Sequence, residues 1–141
     1  MILGVSGSRM GITTAQHRWL ENKIRLADEV HHGACTGADE ESHRIALDHG
    51  KTVVVHPPTD SRYMMAPDWN HDNVTVLVHK PYHMRDRAIV ARTDLLAATP
   101  NTAPRPRSGT WYTVGYALDG HRPVEVCYPD GTVTDGTECR R

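Results

Sequence analysis

What most constrains this chain is an alternation. Short apolar runs at residues 2–6, 30–34, 51–56, 74–78, 95–99 and 124–128 are separated, with one exception, by segments of helical periodicity. Uninterrupted runs of that length read as strands buried on both faces, as in a parallel sheet. The clearest is Lys51-Thr-Val-Val-Val-His56, β-branched through its middle and stopped by Pro57-Pro58, which can neither continue a ladder nor enter a helix interior. The weakest is 30–34, because His31 and His32 are poor strand formers.

Helices are expected over 15–28, 38–48, 84–93 and 108–118. Thr13 and Thr14 can cap the first, in which Leu20, Ile24 and Ala27 recur at helical spacing. Asp39, Glu40 and Glu41 fill the first turn of the second, where acids suit the helix dipole, and Gly50 ends it. Pro81 precedes the third, while Gly120 and Pro123 punctuate the link after the fourth. The exception is 59–73, which holds Pro, Asp, Asn and Met without periodicity and is expected to be a long loop. Strands alternating with helices imply an α/β fold, a Rossmann-like three-layer sandwich with a mostly parallel central sheet.

At 141 residues the chain fits one domain, expected over residues 1–131, with a polar, Gly-rich segment at 132–141 expected to be flexible. Lys and Arg total 16 against 17 for Asp and Glu, so a net charge of −1 supplies no global field toward nucleic acid or an anionic membrane. Cys35, Cys127 and Cys139 form an odd set without a Cys-x-x-Cys pair, which argues against a disulfide framework and for a reducing, cytoplasmic setting. No apolar run has membrane-spanning length, and Met1-Ile-Leu-Gly enters a strand without a leader pattern.

In a doubly wound sheet, ligands bind beyond the carboxyl ends of the strands, near the point where strand order reverses. Three glycine-bearing turns are expected to gather there: Gly4-Val-Ser-Gly-Ser-Arg9, Gly33-Ala-Cys-Thr-Gly-Ala-Asp39 and Arg107-Ser-Gly-Thr-Trp111. A strand that re-enters a helix through Ser108, Gly109 and Thr110 leaves free N–H groups and a hydroxyl toward an incoming phosphate, with the dipole adding positive potential. The same Ser108 would equally serve as an ordinary N-cap. Gly7 and Ser8 form a second turn, from which Arg9 can reach a phosphate as a bidentate donor or pair with a surface acid. Gly33, Gly37 and Asp39 offer a close backbone approach and a carboxylate for a ribose hydroxyl, or simply a tight turn and a helix-start acid.

Arg105 and Arg107, on either side of Pro106, are placed to clamp an anion. Arg85 and Arg87 diverge by about 200° on a helix, so at least one faces solvent. Tyr63 and Trp69 are lid candidates, whereas Trp111 and Tyr112 suit a core or a subunit interface. His32-x-x-Cys35 and His79-x-x-x-His83 lack a second ligand pair, so no metal is expected. Cys35 reads as a small buried thiol, with a thiolate nucleophile at a helix start as the alternative.

The ordered set Gly4-Val-Ser-Gly-Ser-Arg9, His32-Gly-Ala-Cys-Thr-Gly-Ala-Asp39, His56-Pro-Pro58, Arg85-Asp-Arg87 and Arg107-Ser-Gly-Thr-Trp111 resembles the SLOG superfamily, in particular its small phage and actinobacterial versions, over residues 2–131. The resemblance implies a Rossmann-like fold shared with the Lonely Guy (lysine decarboxylase-like) phosphoribohydrolases, DNA-processing protein A, molybdenum-cofactor carriers and nucleotide-ligand sensors. It also implies self-association into a homo-oligomer. Lonely Guy enzymes carry Pro-Gly-Gly-x-Gly-Thr-x-x-Glu at the phosphate turn and a catalytic Arg on the preceding helix. Gly109-Thr110 matches Gly-Thr, and Arg85 or Arg87 matches the Arg, but Trp111, Tyr112 and Thr113 follow and none is an acid. N-glycosidic cleavage passes through a cationic sugar that a carboxylate would stabilise, leaving Asp39, Glu40 or Asp86 as the acids that could replace it.

The leading expectation is a domain without a resident cofactor that binds a nucleotide or nucleotide-derived small molecule through Gly7, Ser8, Arg9, Gly33, Gly37, Asp39, Arg107, Ser108, Gly109 and Thr110. The alternatives are a phosphoribohydrolase-like N-glycosidase acting on nucleoside monophosphates through Arg85 or Arg87, and single-stranded DNA binding, which the near-neutral charge disfavours.

Overall fold

The apolar runs become strands and the periodic segments become helices in the computed structural model, which describes residues 1–66 and 69–140. In chain order these are β1 (Ile2–Gly7), α1 (Thr14–Leu26), β2 (Glu29–His32), α2 (Ala38–Asp48), β3 (Thr52–Val55) and β4 (Val74–Val76). There follow α3 (Tyr82–Arg92), β5 (Leu95–Thr99), α4 (Gly109–Asp119), β6 (Val124–Cys127) and β7 (Val133–Thr134), and a short 3-10 turn at Thr137–Arg140. The seven strands form one sheet in the order β4-β3-β2-β1-β5-β6-β7, parallel except for β7, which runs antiparallel to β6. This is the α/β, Rossmann-like architecture that the alternation predicts.

Along the inner strands successive residues bury against opposite helical layers, as a two-residue side-chain period requires, while no residue of the edge strands β4 and β7 is fully buried. Leu3, Val5, Val30, Val53, Val55 and Ala97 pack with Leu20 and Ile24 of α1 and Ile45 and Ala46 of α2. On the other face Leu96, Ala98, Val124 and Val126 pack with Val90 of α3 and Trp111, Val114 and Ala117 of α4. Burying each large aliphatic side chain contributes about 1.5–3 kcal/mol. Helix α1 is entered through a capping box, in which the Thr13 hydroxyl accepts from the Gln16 amide and the Gln16 side chain accepts from the Thr13 amide.

Three elements differ from the sequence expectation. Strand β2 ends at His32 because Ala34 adopts a left-handed φ of 64°, which turns the chain out of the ladder. His31 and His32 nevertheless lie in that strand, since each ring finds a buried partner on an opposite face. His31 Nδ1 lies 2.8 Å from His56 Nε2, and His32 Nε2 lies 2.9 Å from His43 Nδ1. The segment 132–141, expected to be flexible, supplies β7 and the 3-10 turn. Arg140 donates to the Gly115 carbonyl and to Asp119, and Glu138 accepts from the Thr134 hydroxyl at 2.6 Å and from the Tyr128 hydroxyl. A two-residue strand carries no readable period, so these polar anchors rather than apolar patterning hold it. Among the described residues, no helix is long and apolar enough to cross a membrane.

Candidate functional site

Strand order reverses between β1 and β5, whose pairing runs to their carboxyl ends, Gly7 opposite Thr99. The chain leaves β1 through Ser8, whose amide donates to the Thr99 carbonyl at 3.0 Å. A side chain on Gly7 would put its Cβ 2.1 Å from Thr99 Oγ1 and 2.5 Å from Ala38 Cβ, so a glycine is required for α2 to start this close to the sheet. Gly37 is as tight and is held in the left-handed region as well. Its φ is +78° and a Cβ there would lie 2.2 Å from the Ser8 carbonyl oxygen.

The first two glycine turns therefore meet, but they are fastened to one another. The Ser8 carbonyl accepts the Ala38 amide at 2.9 Å, and the Thr36 hydroxyl donates to the Arg9 carbonyl at 3.0 Å. Backbone oxygen thus takes the position an anion would need at the start of α2. The first turn of α2 also carries Asp39, Glu40 and Glu41. Gly33 and Gly37, expected as part of a phosphate seat, instead serve close packing, and the reason is this backbone closure together with like charge.

Arg85, expected to neutralise an anion, is buried between α3 and the turn after β2. Its Nη1 donates to the Gly33 carbonyl and approaches Cys35 Sγ at 3.9 Å, and its Nε donates to Asp86 Oδ1 at 2.7 Å. A Cβ on Gly33 would fall 2.4 Å from the same guanidinium. Asp39 lies behind this group, 7% exposed, with Oδ2 accepting from the Cys35 amide at 3.2 Å and Oδ1 without a hydrogen-bond partner among the described residues. Burial pushes its carboxyl up to about 6 against the pull of Arg85. Burial likewise pushes the Cys35 thiol up to about 11, so it is protonated at neutral pH and the thiolate alternative falls.

The start of α4 is built differently. Ser108 is its N-cap, accepting from the Trp111 amide at 3.2 Å, and the Tyr112 amide closes the first intrahelical bond on the Ser108 carbonyl at 2.9 Å. The Gly109 and Thr110 amides precede that bond, so they face outward from the helix end. No acid lies in the first turn, and a Cβ on Gly109 would meet nothing within 4 Å. Beside it Arg105 and Arg107 are exposed, Arg107 in a left-handed conformation with φ of 60°. With Pro104, Pro106, Ser108, Trp111, Tyr112 and Cys139 they line an open groove of about 430 Å³.

The remaining predicted residues separate by environment. Trp111 is core, its indole N–H donating to the Thr102 carbonyl at 3.2 Å and so anchoring the loop before α4. Arg87 is exposed and donates to the Tyr112 hydroxyl at 2.8 Å, while His83 stacks on the same ring at 4.0 Å between centroids. The Arg9 guanidinium carbon lies over the Tyr63 ring, 3.7 Å from its centroid. The Tyr63 loop is hooked to the turn after β2 by the Thr36 amide on the Tyr63 carbonyl and the Met65 amide on the Ala34 carbonyl. Trp69, expected as a lid, packs instead against the α1/α2 core. Among the described residues, no three His, Cys, Asp or Glu side chains are arranged to hold a metal ion.

Sequence reasoning missed two pairs of buried imidazoles, His31 with His56 and His32 with His43. Glu29 Oε2 lies 2.7 Å from His31 Nε2, so that nitrogen carries the proton and His31 Nδ1 accepts from His56 Nε2–H. The Ala34 amide donates to His32 Nδ1, leaving His32 Nε2–H to donate to His43. Burial holds all three of His31, His32 and His56 below the ordinary histidine range, His56 at about 3. The adjacent pair His31-His32 within an apolar run is the one signal that pointed to them.

No protein-family model matches the chain, and no curated protein matches it. Solved structures do. The molybdenum cofactor binding protein from the phototrophic bacterium Rippkaea orientalis is 20% identical, with a TM-score of 0.66 over 90% of this chain and 76% of its own. The Moco carrier protein from Chlamydomonas reinhardtii is 22% identical, with a TM-score of 0.60 over 89% of this chain and 74% of its own. DNA processing protein A from Streptococcus pneumoniae is 21% identical, with a TM-score of 0.67 over 98% of this chain, which spans only 54% of that protein. The chain therefore shares the Rossmann-like fold of these proteins.

Proposed function

We propose that this chain binds a nucleotide or nucleotide-derived small molecule at the carboxyl edge between β1 and β5, with its phosphate on the Gly109 and Thr110 amides. One observation carries the reading: the α4 start is open, acid-free and flanked by exposed Arg105 and Arg107. Outward amides and the helix dipole favour an anion, and each charge-assisted hydrogen bond adds about 1.5–3 kcal/mol. Arg107 supplies the exposed countercharge, while Ser8 and Arg9 border the same edge. Two of the structural neighbours are a molybdenum cofactor binding protein and a Moco carrier protein, in keeping with a small-molecule ligand on this fold. The N-glycosidase reading has less support, because Arg85 is committed to Gly33 and Asp86 and Arg87 is held by Tyr112.

Calorimetric titration with AMP and ADP-ribose tests the proposal. Binding is expected, and Gly109→Asp, which places a carboxylate at the anion seat, should weaken it by at least about tenfold, or 1.4 kcal/mol. Absence of heat with both ligands would overturn the reading.

A further inference from the structure

The sheet has two open edges, β4 at one end and β7 at the other. An edge strand presents unpaired N–H and C=O groups, and proteins guard it with charge, proline or a covering element. The β7 edge is guarded, because its two residues lie between Asp130 and Asp135, and a second copy set antiparallel against it would oppose acid to acid. The β4 edge has no such guard. Residues 73–78 read Asn-Val-Thr-Val-Leu-Val, without charge, proline or glycine. Thr75 and Val76 are exposed, Val76 at 39%, and Val78 just beyond the strand is 80% exposed.

Pairing with β3 decides which backbone groups of this edge are free. The Val53 amide donates to the Asn73 carbonyl at 2.8 Å, and the Leu77 amide donates to the Val55 carbonyl at 2.9 Å. Residues 73, 75 and 77 therefore bond inward, and Val74, Val76 and, continuing the alternation, Val78 turn outward. The Val74 amide is taken by the His71 carbonyl at 3.0 Å, whereas the Val74 carbonyl, both groups of Val76 and the Val78 amide have no partner among the described residues.

That set is its own complement. Two such strands, antiparallel about a two-fold axis at Val76, exchange both Val76 bonds and join each Val78 amide to the Val74 carbonyl of the other copy. Val74 and Val76 lie on the α1/α2 face beside Val53 and Val55, so this register sets valine against valine and covers the exposed side chains. It also brings the exposed Asp72 end of each strand to the Lys80 end of the other, with opposite charges at both ends. A net charge of −1 per chain opposes the approach very little.

We infer that the β4 edge is an interaction surface for a second copy of this chain, paired antiparallel so that two sheets become one. The contact is a few residues long and falls below the roughly 1,200 Å² of a standard interface, so the dimer is weak and concentration-dependent. It leaves the β1/β5 edge, three strands away, uncovered.

Sedimentation equilibrium of the full chain from about 10 μM to about 1 mM tests the inference. The wild type should pass from 15.7 kDa toward twice that mass, and amide exchange at Val76 should slow as it does so. Val76→Lys, which sets like charges on the axis, and Val78→Lys should each weaken association at least about tenfold, whereas Val133→Lys on the β7 edge should leave it unchanged. Val78 is exposed in the single chain, so Val78→Lys reads the interface even where Val76→Lys disturbs the strand. Asp72→Lys alone should weaken association, and Asp72→Lys combined with Lys80→Asp should restore it. A single-chain mass at every concentration, association that survives both valine variants, or open-ended growth beyond the dimer overturns the inference.

Discussion

Helices α2 and α4 both begin at a glycine-bearing turn on the same edge of one sheet, and both have outward amides at their first turn. The α2 start has Ser8 and Arg9 backbone packed onto Gly37, three acids, and a buried carboxylate. The α4 start has open space over Gly109, no acid, and two exposed arginines beside it. A glycine before a helix thus serves close packing in one case and access in the other. What distinguishes them is the charge of the first turn and what the neighbouring strand lays across it.

Substitution at the two glycines should break the comparison most sharply. Gly37→Ala forces a Cβ to within 2.2 Å of the Ser8 carbonyl at a φ of +78°, and should cost about 4 kcal/mol or prevent folding. Gly109→Ala meets nothing within 4 Å and should change stability by less than about 1 kcal/mol. Denaturant unfolding of both variants measures the contrast, and similar losses at the two positions would refute the distinction.

The arginines give the next largest effect. Arg85→Ala strands Asp86 without its buried partner and should cost about 3–5 kcal/mol, whereas exposed Arg87→Ala should cost less than about 1 kcal/mol. Equal midpoints in urea would mean that Arg85 is not the clamp between α3 and the turn after β2.

A smaller effect comes from pH. His56 has a folded value of about 3 against an ordinary 6.5, so its contribution is complete above pH 6.5 and is lost as pH falls toward 3; His31 and His32 act in the same direction. Asp39 opposes them, since its value is raised to about 6 from 3.8 and its contribution is lost as pH rises through that window. Asp86, raised by burial, acts in the same sense as Asp39; three imidazoles outweigh the two carboxyls, and the melting temperature should fall by about 5 °C between pH 6.5 and pH 5. Asp39→Asn should steepen that fall, because one opposing group is gone. A flat profile would show that the imidazole pairs admit water.

Much of the fold was legible because burial on both faces writes itself into composition. The runs at 95–99 and 38–48 coincide with β5 and α2, and Thr13 and Ser108 act as the caps their chemistry suggests. The site was legible only in part. Ser108, Gly109 and Thr110 lie where the strand-turn-helix pattern put them, but nothing local in Arg85 distinguishes a buried structural guanidinium from a ligand-facing one. That depends on Gly33 and Asp86 arriving from two separate elements. Trp69 was misplaced for a similar reason, since an aromatic in an irregular loop has no period to reveal which surface it covers.

By itself the sequence determined the order of elements, the parallel sheet and the edge at which its turns gather, because these follow from apolar spacing and turn chemistry over a few neighbouring residues. Tertiary structure alone decided which glycines are packed against backbone and which face open space, which arginine is buried, and how four histidines are buried in pairs. Each of those outcomes rests on atoms from strands and helices far apart in the chain, whose approach is set by sheet order and packing rather than by any local pattern.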